Sequence, residues 1–114
     1  MRRVLVVDDD PEMLEMLSMA LAEADMRPIA VQTGEAARSA FSHSGPFDAV
    51  LIDRTLETED GRRLADDLVR HGQPSDRVVL MSGYHDQVAG YTSVAKPFRL
   101  HSLIETLRQK ASPA

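Results

Sequence analysis

The chain has 114 residues, 43% of them hydrophobic and 27% charged, with a formal net charge of −5. This length suits one domain over residues 1–114 with a real core, and an acidic balance without a basic stripe argues against binding a nucleic-acid backbone. Cysteine is absent, which excludes a disulfide framework, a thiolate zinc site and a cysteine nucleophile, and His43, His71, His85 and His101 lack the spacing of metal ligands.

Arg2-Arg3 run straight into an apolar stretch, 3–7, that reads as a strand buried on both faces. It is too short for a signal peptide or a membrane span, so the expected location is the cytoplasm, with no membrane partner. Asp10-Pro11-Glu12 supplies an N-cap, a proline at the first helical position and an early acid, and predicts a helix over 11–25. Its inner stripe is Met13, Leu17, Ala20, Leu21 and Ala24; Met16 is borderline, and Met19 falls among Glu12, Glu15 and Glu23, hence exposed.

A second strand is expected over 27–31, then a helix over 34–43 capped by Thr33 and broken by Gly45-Pro46. A third strand spans 48–53. A loop with Asp60-Gly61 leads to a helix over 62–71, ended by Gly72 and Pro74. Strands follow at 77–82 and 91–95, and a last helix at 99–110 carries Leu100, Leu103, Ile104, Leu107 and Ala111 on one face. Alternating strands and helices predict a parallel sheet covered on both sides. One connection is short: 83–90 lies below the 10–12 or so residues of an ordinary parallel crossover. It reads as an extended loop or a single turn, with the surface beside it free for a partner or for self-association. The C-terminal tail, 110–114, is expected to fray.

Asp8-Asp9, Asp53 and Lys96-Pro97 each follow an apolar strand. In an open α/β sheet those strand ends share the edge where ligands bind. Carboxylates crowded there require a cation, and a lysine beside them suggests that an anion is handled too. The pattern reads as a Mg²⁺-assisted phosphoryl site.

Over essentially its full length the chain resembles the receiver domain of bacterial two-component response regulators. The residues that carry the resemblance are Asp8 and Asp9 after the first strand, Asp53 after the third, Ser82 after the fourth and Lys96-Pro97 after the fifth, with Asp60-Gly61 seven and eight residues beyond Asp53. It implies a flavodoxin-like, doubly wound five-stranded parallel sheet, with the fourth helix here missing or reduced to a turn. It implies that Asp53 takes a phosphoryl group from a histidine kinase or histidine phosphotransfer protein and signals through a downstream protein target or self-association. Asp53 and Asp9 would be direct Mg²⁺ ligands, Asp8 would reach the metal through water, and the Thr55 backbone carbonyl would be a further ligand. Lys96 would pair with Asp53 and then a phosphoryl oxygen, and Ser82 would donate to another. A cis peptide is expected before Pro97. The positions flanking the hydrolytic water are Thr55 and Tyr84; neither offers a carboxylate or amide, which suggests a long-lived phosphoryl group.

The chain also departs from the family pattern. The switch position three residues before the lysine is Ser93; Tyr91 shares its strand face further along. Arg54 and Glu57 stand where an apolar residue and a proline are common. The expectation is retained phospho-acceptance with a rebuilt output surface. No effector segment follows the last helix, so output is expected through protein contacts unless the chain is a piece of a longer one. Two other readings compete: a degenerate receiver that binds partners without phosphorylation, and a phosphatase using Asp53 as nucleophile. Haloacid-dehalogenase-like phosphatases want a second Asp two residues on, where this chain has Thr55. The chain is therefore not expected to be an enzyme beyond its own phosphorylation and dephosphorylation.

Overall fold

A computed structural model describes residues 1–83 and 90–113. Five strands, β1 (Arg2–Val7), β2 (Met26–Val31), β3 (Ala49–Asp53), β4 (Val78–Ser82) and β5 (Thr92–Ala95), form one parallel sheet in the order β2-β1-β3-β4-β5. Four α-helices are described: α1 (Pro11–Glu23), α2 (Gly34–Ser44), α3 (Gly61–Arg70) and α4 (Leu100–Ala111), with a 3₁₀ turn at Ser75–Arg77. This is the flavodoxin-like, doubly wound arrangement, whose strand order reverses between β1 and β3.

The three central strands are buried on both faces, and their alternation sorts two cores. Val4, Val6, Leu51, Val79 and Met81 pack with Leu14, Leu17 and Leu21 of α1 and with Leu103, Leu107 and Ala111 of α4. Leu5, Val7, Val50, Ile52, Val78 and Leu80 pack on the other side with Ala37 of α2 and with Leu64, Ala65 and Leu68 of α3. Each such leucine contributes about 1.5–3 kcal/mol by leaving water. Leu14 belongs to the inner face of α1, beside a partly buried Met13 and Ala24; the expected stripe omitted it. Met16 and Met19 are exposed at 40% and 60%. β2 is an edge strand, which is why Pro28 can sit in it. β5 is the other edge, and its four residues are only half-buried.

Local chemistry sets the helix ends. Asp10 accepts from the Glu12 N–H and Thr33 from the Ala36 N–H, as N-caps do. α1 stops at Glu23, short of the expected Asp25, because Asp25 adopts a left-handed φ of 61°. A Cβ at Gly61 would overlap the Asp53 backbone carbonyl, so only glycine lets α3 start this close to the end of β3. Both Gly45-Pro46 and Lys96-Pro97 are cis. The expectation for 83–90 falls mostly on 84–89, outside the described residues, as do Tyr84 and His85. Among the described residues no helix is long and apolar enough to cross a membrane.

Candidate functional site

The parallel register brings the charged strand ends together. β1 runs beside β3, so Asp8 and Asp9 leave the sheet next to Asp53. On β4, Met81 pairs with Asp53 and Ser82 with Ala95, and the Lys96 N–H donates to the Ser82 carbonyl at 2.7 Å. Four strand ends thus supply Asp8, Asp9, Asp53, Ser82 and Lys96 to one edge. Asp8, Asp53 and Ser82 are buried, and Asp9 is half-buried.

Asp53 is held on both carboxylate oxygens. Lys96 Nζ donates to Oδ2 at 3.0 Å, while the Thr55 N–H and the Thr55 hydroxyl both donate to Oδ1, each at 3.0 Å. Asp9 Oδ2 accepts from the Glu57 N–H at 3.0 Å, and Asp8 Oδ1 from the Asp10 N–H at 2.9 Å. The contacts from Thr55 and Glu57 were not foreseen. They arise because the β3–α3 loop folds back over the edge, closed by a bridge between Thr55 and Asp60.

Asp8, Asp9 and Asp53 each offer a carboxylate oxygen, all within 4.8 Å of one another. Asp8 Oδ2 is buried and has no hydrogen-bond partner among the described residues. Burial above all, with the neighbouring charges of Asp53 and Asp9, pushes the Asp8 carboxyl up from its ordinary range; the Asp10 N–H and Lys96 oppose the rise only in part. A buried oxygen without a donor, facing two further carboxylates, is the chemistry of a divalent-cation site. Among the described residues this is the one acidic or imidazole cluster with that geometry. His43 instead contacts the Ser39 carbonyl of its own helix, and His71, at the C-cap of α3, the Asp67 carbonyl.

The other expected site residues lie apart from this centre or outside the described residues. Ser93 is half-buried on β5, opposite Leu80. Tyr91 packs on the α2/α3 side, and its hydroxyl donates to Asp66 of α3 at 2.6 Å. Burial and that bond raise the phenol well above its usual range.

Comparison with known proteins bears on this geometry. Residues 4–108 match the response regulator receiver domain. The transcriptional regulatory protein TcrA of Mycobacterium tuberculosis is 31% identical over 93% of this chain, which spans 44% of TcrA. The sensor histidine kinase GacS of Pseudomonas protegens is 35% identical over 68% of the chain and 9% of its own length. The response regulator TrrA of Thermotoga maritima, solved in complex with Mg²⁺-BeF, superposes with a TM-score of 0.82 at 27% identity, covering 96% of this chain and 99% of that one. The chain spans less than half the length of the curated relatives named here. With the match extending over nearly all of it, the chain belongs to the response regulator receiver domains of two-component signalling.

Proposed function

We propose that Asp53 is the phospho-acceptor of this receiver. In the step, an Asp53 carboxylate oxygen attacks the phosphorus of a phosphohistidine, the N–P bond breaks, the imidazole leaves, and an acyl phosphate forms on Asp53. Buried on the strand end, Asp53 is aimed by three donors that leave its orientation little freedom. Lys96 then follows the transferred charge, acting as a point cation beside a phosphoryl oxygen. The Ser82 hydroxyl, on the adjacent strand end, is assigned to another.

Asp8, Asp9 and Asp53 would hold Mg²⁺, with the Thr55 carbonyl as a further ligand by resemblance. A bound Mg²⁺ neutralises the carboxylates and polarises the phosphoryl oxygens. The observation that carries the reading is the Lys96–Asp53 pair of 3.0 Å set against two further carboxylates, one with a buried unpartnered oxygen. On this reading the chain acts in the cytoplasm, its phosphodonor is a histidine kinase or a histidine phosphotransfer protein, and its output is contact with a protein target or a second copy. Catalysis is confined to its own phosphorylation and dephosphorylation. The transcriptional relatives are roughly twice as long, so DNA binding is assigned to sequence beyond the part shared with this chain.

Intact mass after incubation with Mg²⁺ and a small acyl-phosphate donor tests the reading. The chain should gain one phosphoryl group, and Asp53→Asn should gain none. A wild-type chain that stays unlabelled would favour the degenerate receiver, and a labelled Asp53→Asn variant would move the acceptor elsewhere.

A further inference from the structure

The β3–α3 loop, 54–60, donates to two of the three site carboxylates: Thr55 to Asp53 and the Glu57 N–H to Asp9. Yet Thr55, Glu57, Thr58 and Asp60 are exposed, so burial does not set the shape of most of the loop. Besides the half-buried Arg54, which pairs with Asp60 inside the loop, two of its side chains reach inward. Leu56 enters the α2/α3 core. Glu59 meets Arg38 of α2 in a two-pronged fork, with Nη1 on Oε2 and Nη2 on Oε1, both at 2.8 Å.

The fork has a built seat. A Cβ at Gly34 would overlap the Glu59 carboxylate, so a glycine in the first turn of α2 leaves the room that Glu59 occupies. A carboxylate at that helix end is also favoured by the helix dipole. Arg38 reaches further, to Asp67 of α3 at 2.6 Å, and Asp67 in turn meets Arg70 at 3.1 Å. Planar bidentate pairing of this kind fixes orientation as well as distance, which a lysine could not do.

We propose that Arg38 and Glu59 are positioning residues for phosphoryl transfer: their fork fixes the β3–α3 loop so that Thr55 and Glu57 present their donors to Asp53 and Asp9. Neither residue touches the reacting atoms. The inference rests on the assignment of Asp53 as acceptor. Its rival is that the cluster only staples α2 to α3. Asp67 separates the two, because its ion pairs run to Arg38 of α2 and Arg70 of α3, and none reaches the loop among the described residues.

The test uses the full chain with Arg38→Met, Glu59→Ala, Gly34→Ala and Asp67→Asn. Gly34→Ala places a methyl group where the carboxylate sits and improves helix propensity, so it opens the fork with little risk to folding. Four quantities are measured: Mg²⁺ affinity by calorimetry, amide exchange at Thr55 and Glu57, the labelling rate with a small acyl phosphate, and the melting temperature. The three fork variants should weaken Mg²⁺ binding about tenfold, the lower end of what loss of an outer-shell partner costs. They should also exchange faster at both amides and label more slowly. Asp67→Asn should melt at a lower temperature while keeping wild-type Mg²⁺ affinity and exchange. Fork variants that behave like Asp67→Asn would overturn the proposal. If the wild-type chain takes no phosphoryl group, the Asp53 assignment fails, and amide exchange alone decides the fork: faster exchange in the fork variants upholds loop positioning, and unchanged exchange defeats it.

Discussion

Asp8 carries an electrostatic cost that a single substitution can expose. Its Oδ2 is buried without a partner among the described residues, and it lies beside Asp9 and Asp53. Leaving a buried polar group unsatisfied costs about 1–3 kcal/mol, and more when it is charged. Asp8→Asn keeps the Oδ1 acceptor for the Asp10 N–H, at 2.9 Å, and removes the charge. In place of a third negative charge the new amide turns N–H donors toward the Asp9 and Asp53 carboxylates, for about 1–2 kcal/mol of added stability in metal-free protein, or about 5–10 °C in melting temperature for a domain of this size. The pH dependence has a defined sign. Burial raises the Asp8 carboxyl above its ordinary 3.8, so its contribution to wild-type stability is fully present below that value and is lost as pH rises through the raised folded one. The advantage of the variant should therefore open as pH increases. Melting with a chelator across mildly acidic to neutral pH measures it. Mg²⁺ at ten times its dissociation constant should then stabilise the wild type by about 1.4 kcal/mol and the variant by less. A variant less stable than wild type at neutral pH without metal, or an advantage that shrinks as pH rises, would refute the reasoning.

Three further outcomes test the fold around the site. Gln73 is buried, and its amide exchanges two hydrogen bonds with the Phe47 backbone, at 2.9 and 3.0 Å; Gln73→Ala should cost about 2–4 kcal/mol in denaturant unfolding, from lost contacts and orphaned backbone groups. Asp25 holds a left-handed φ of 61°, so Asp25→Gly should stabilise the chain by about 0.5–1 kcal/mol, whereas Asp25→Ala should not. Tyr91→Phe removes the bond to Asp66 and should lower stability by about 0.5–1.5 kcal/mol without changing Mg²⁺ affinity.

The sheet was legible because its three central strands are apolar runs with turn residues at their ends, and the site was legible because its charges follow those runs. Asp8, Asp9, Asp53, Ser82 and Lys96 each follow or end an apolar run in the sequence, and the parallel register brings those strand ends together. The residues that escaped notice act across long sequence separations. Arg38 meets Glu59 and Asp67 21 and 29 positions away, and Gln73 meets Phe47 26 positions away; periodicity carries no signal for such pairs. Gln73, between Gly72 and Pro74, read as part of a helix stop, although its amide completes the buried backbone of Phe47. Leu14 stands at i, i+3 and i+7 with Leu17 and Leu21, so helical spacing alone already places it on the inner face of α1, where it is buried. Tyr91 read as strand, but the described strand starts at Thr92, and the tyrosine anchors the edge to α3 instead.

Reducing the phosphorylated chain with borohydride, then mapping its peptides, tests the central assignment most directly, since an aspartyl phosphate is converted to homoserine at the residue that carried it. After loading with Mg²⁺ and a small acyl-phosphate donor, homoserine should appear at position 53 alone, and the conversion should disappear in Lys96→Ala or when Mg²⁺ is chelated before loading. Homoserine at position 8 or 9, or a loaded chain with no conversion at 53, would contradict the account.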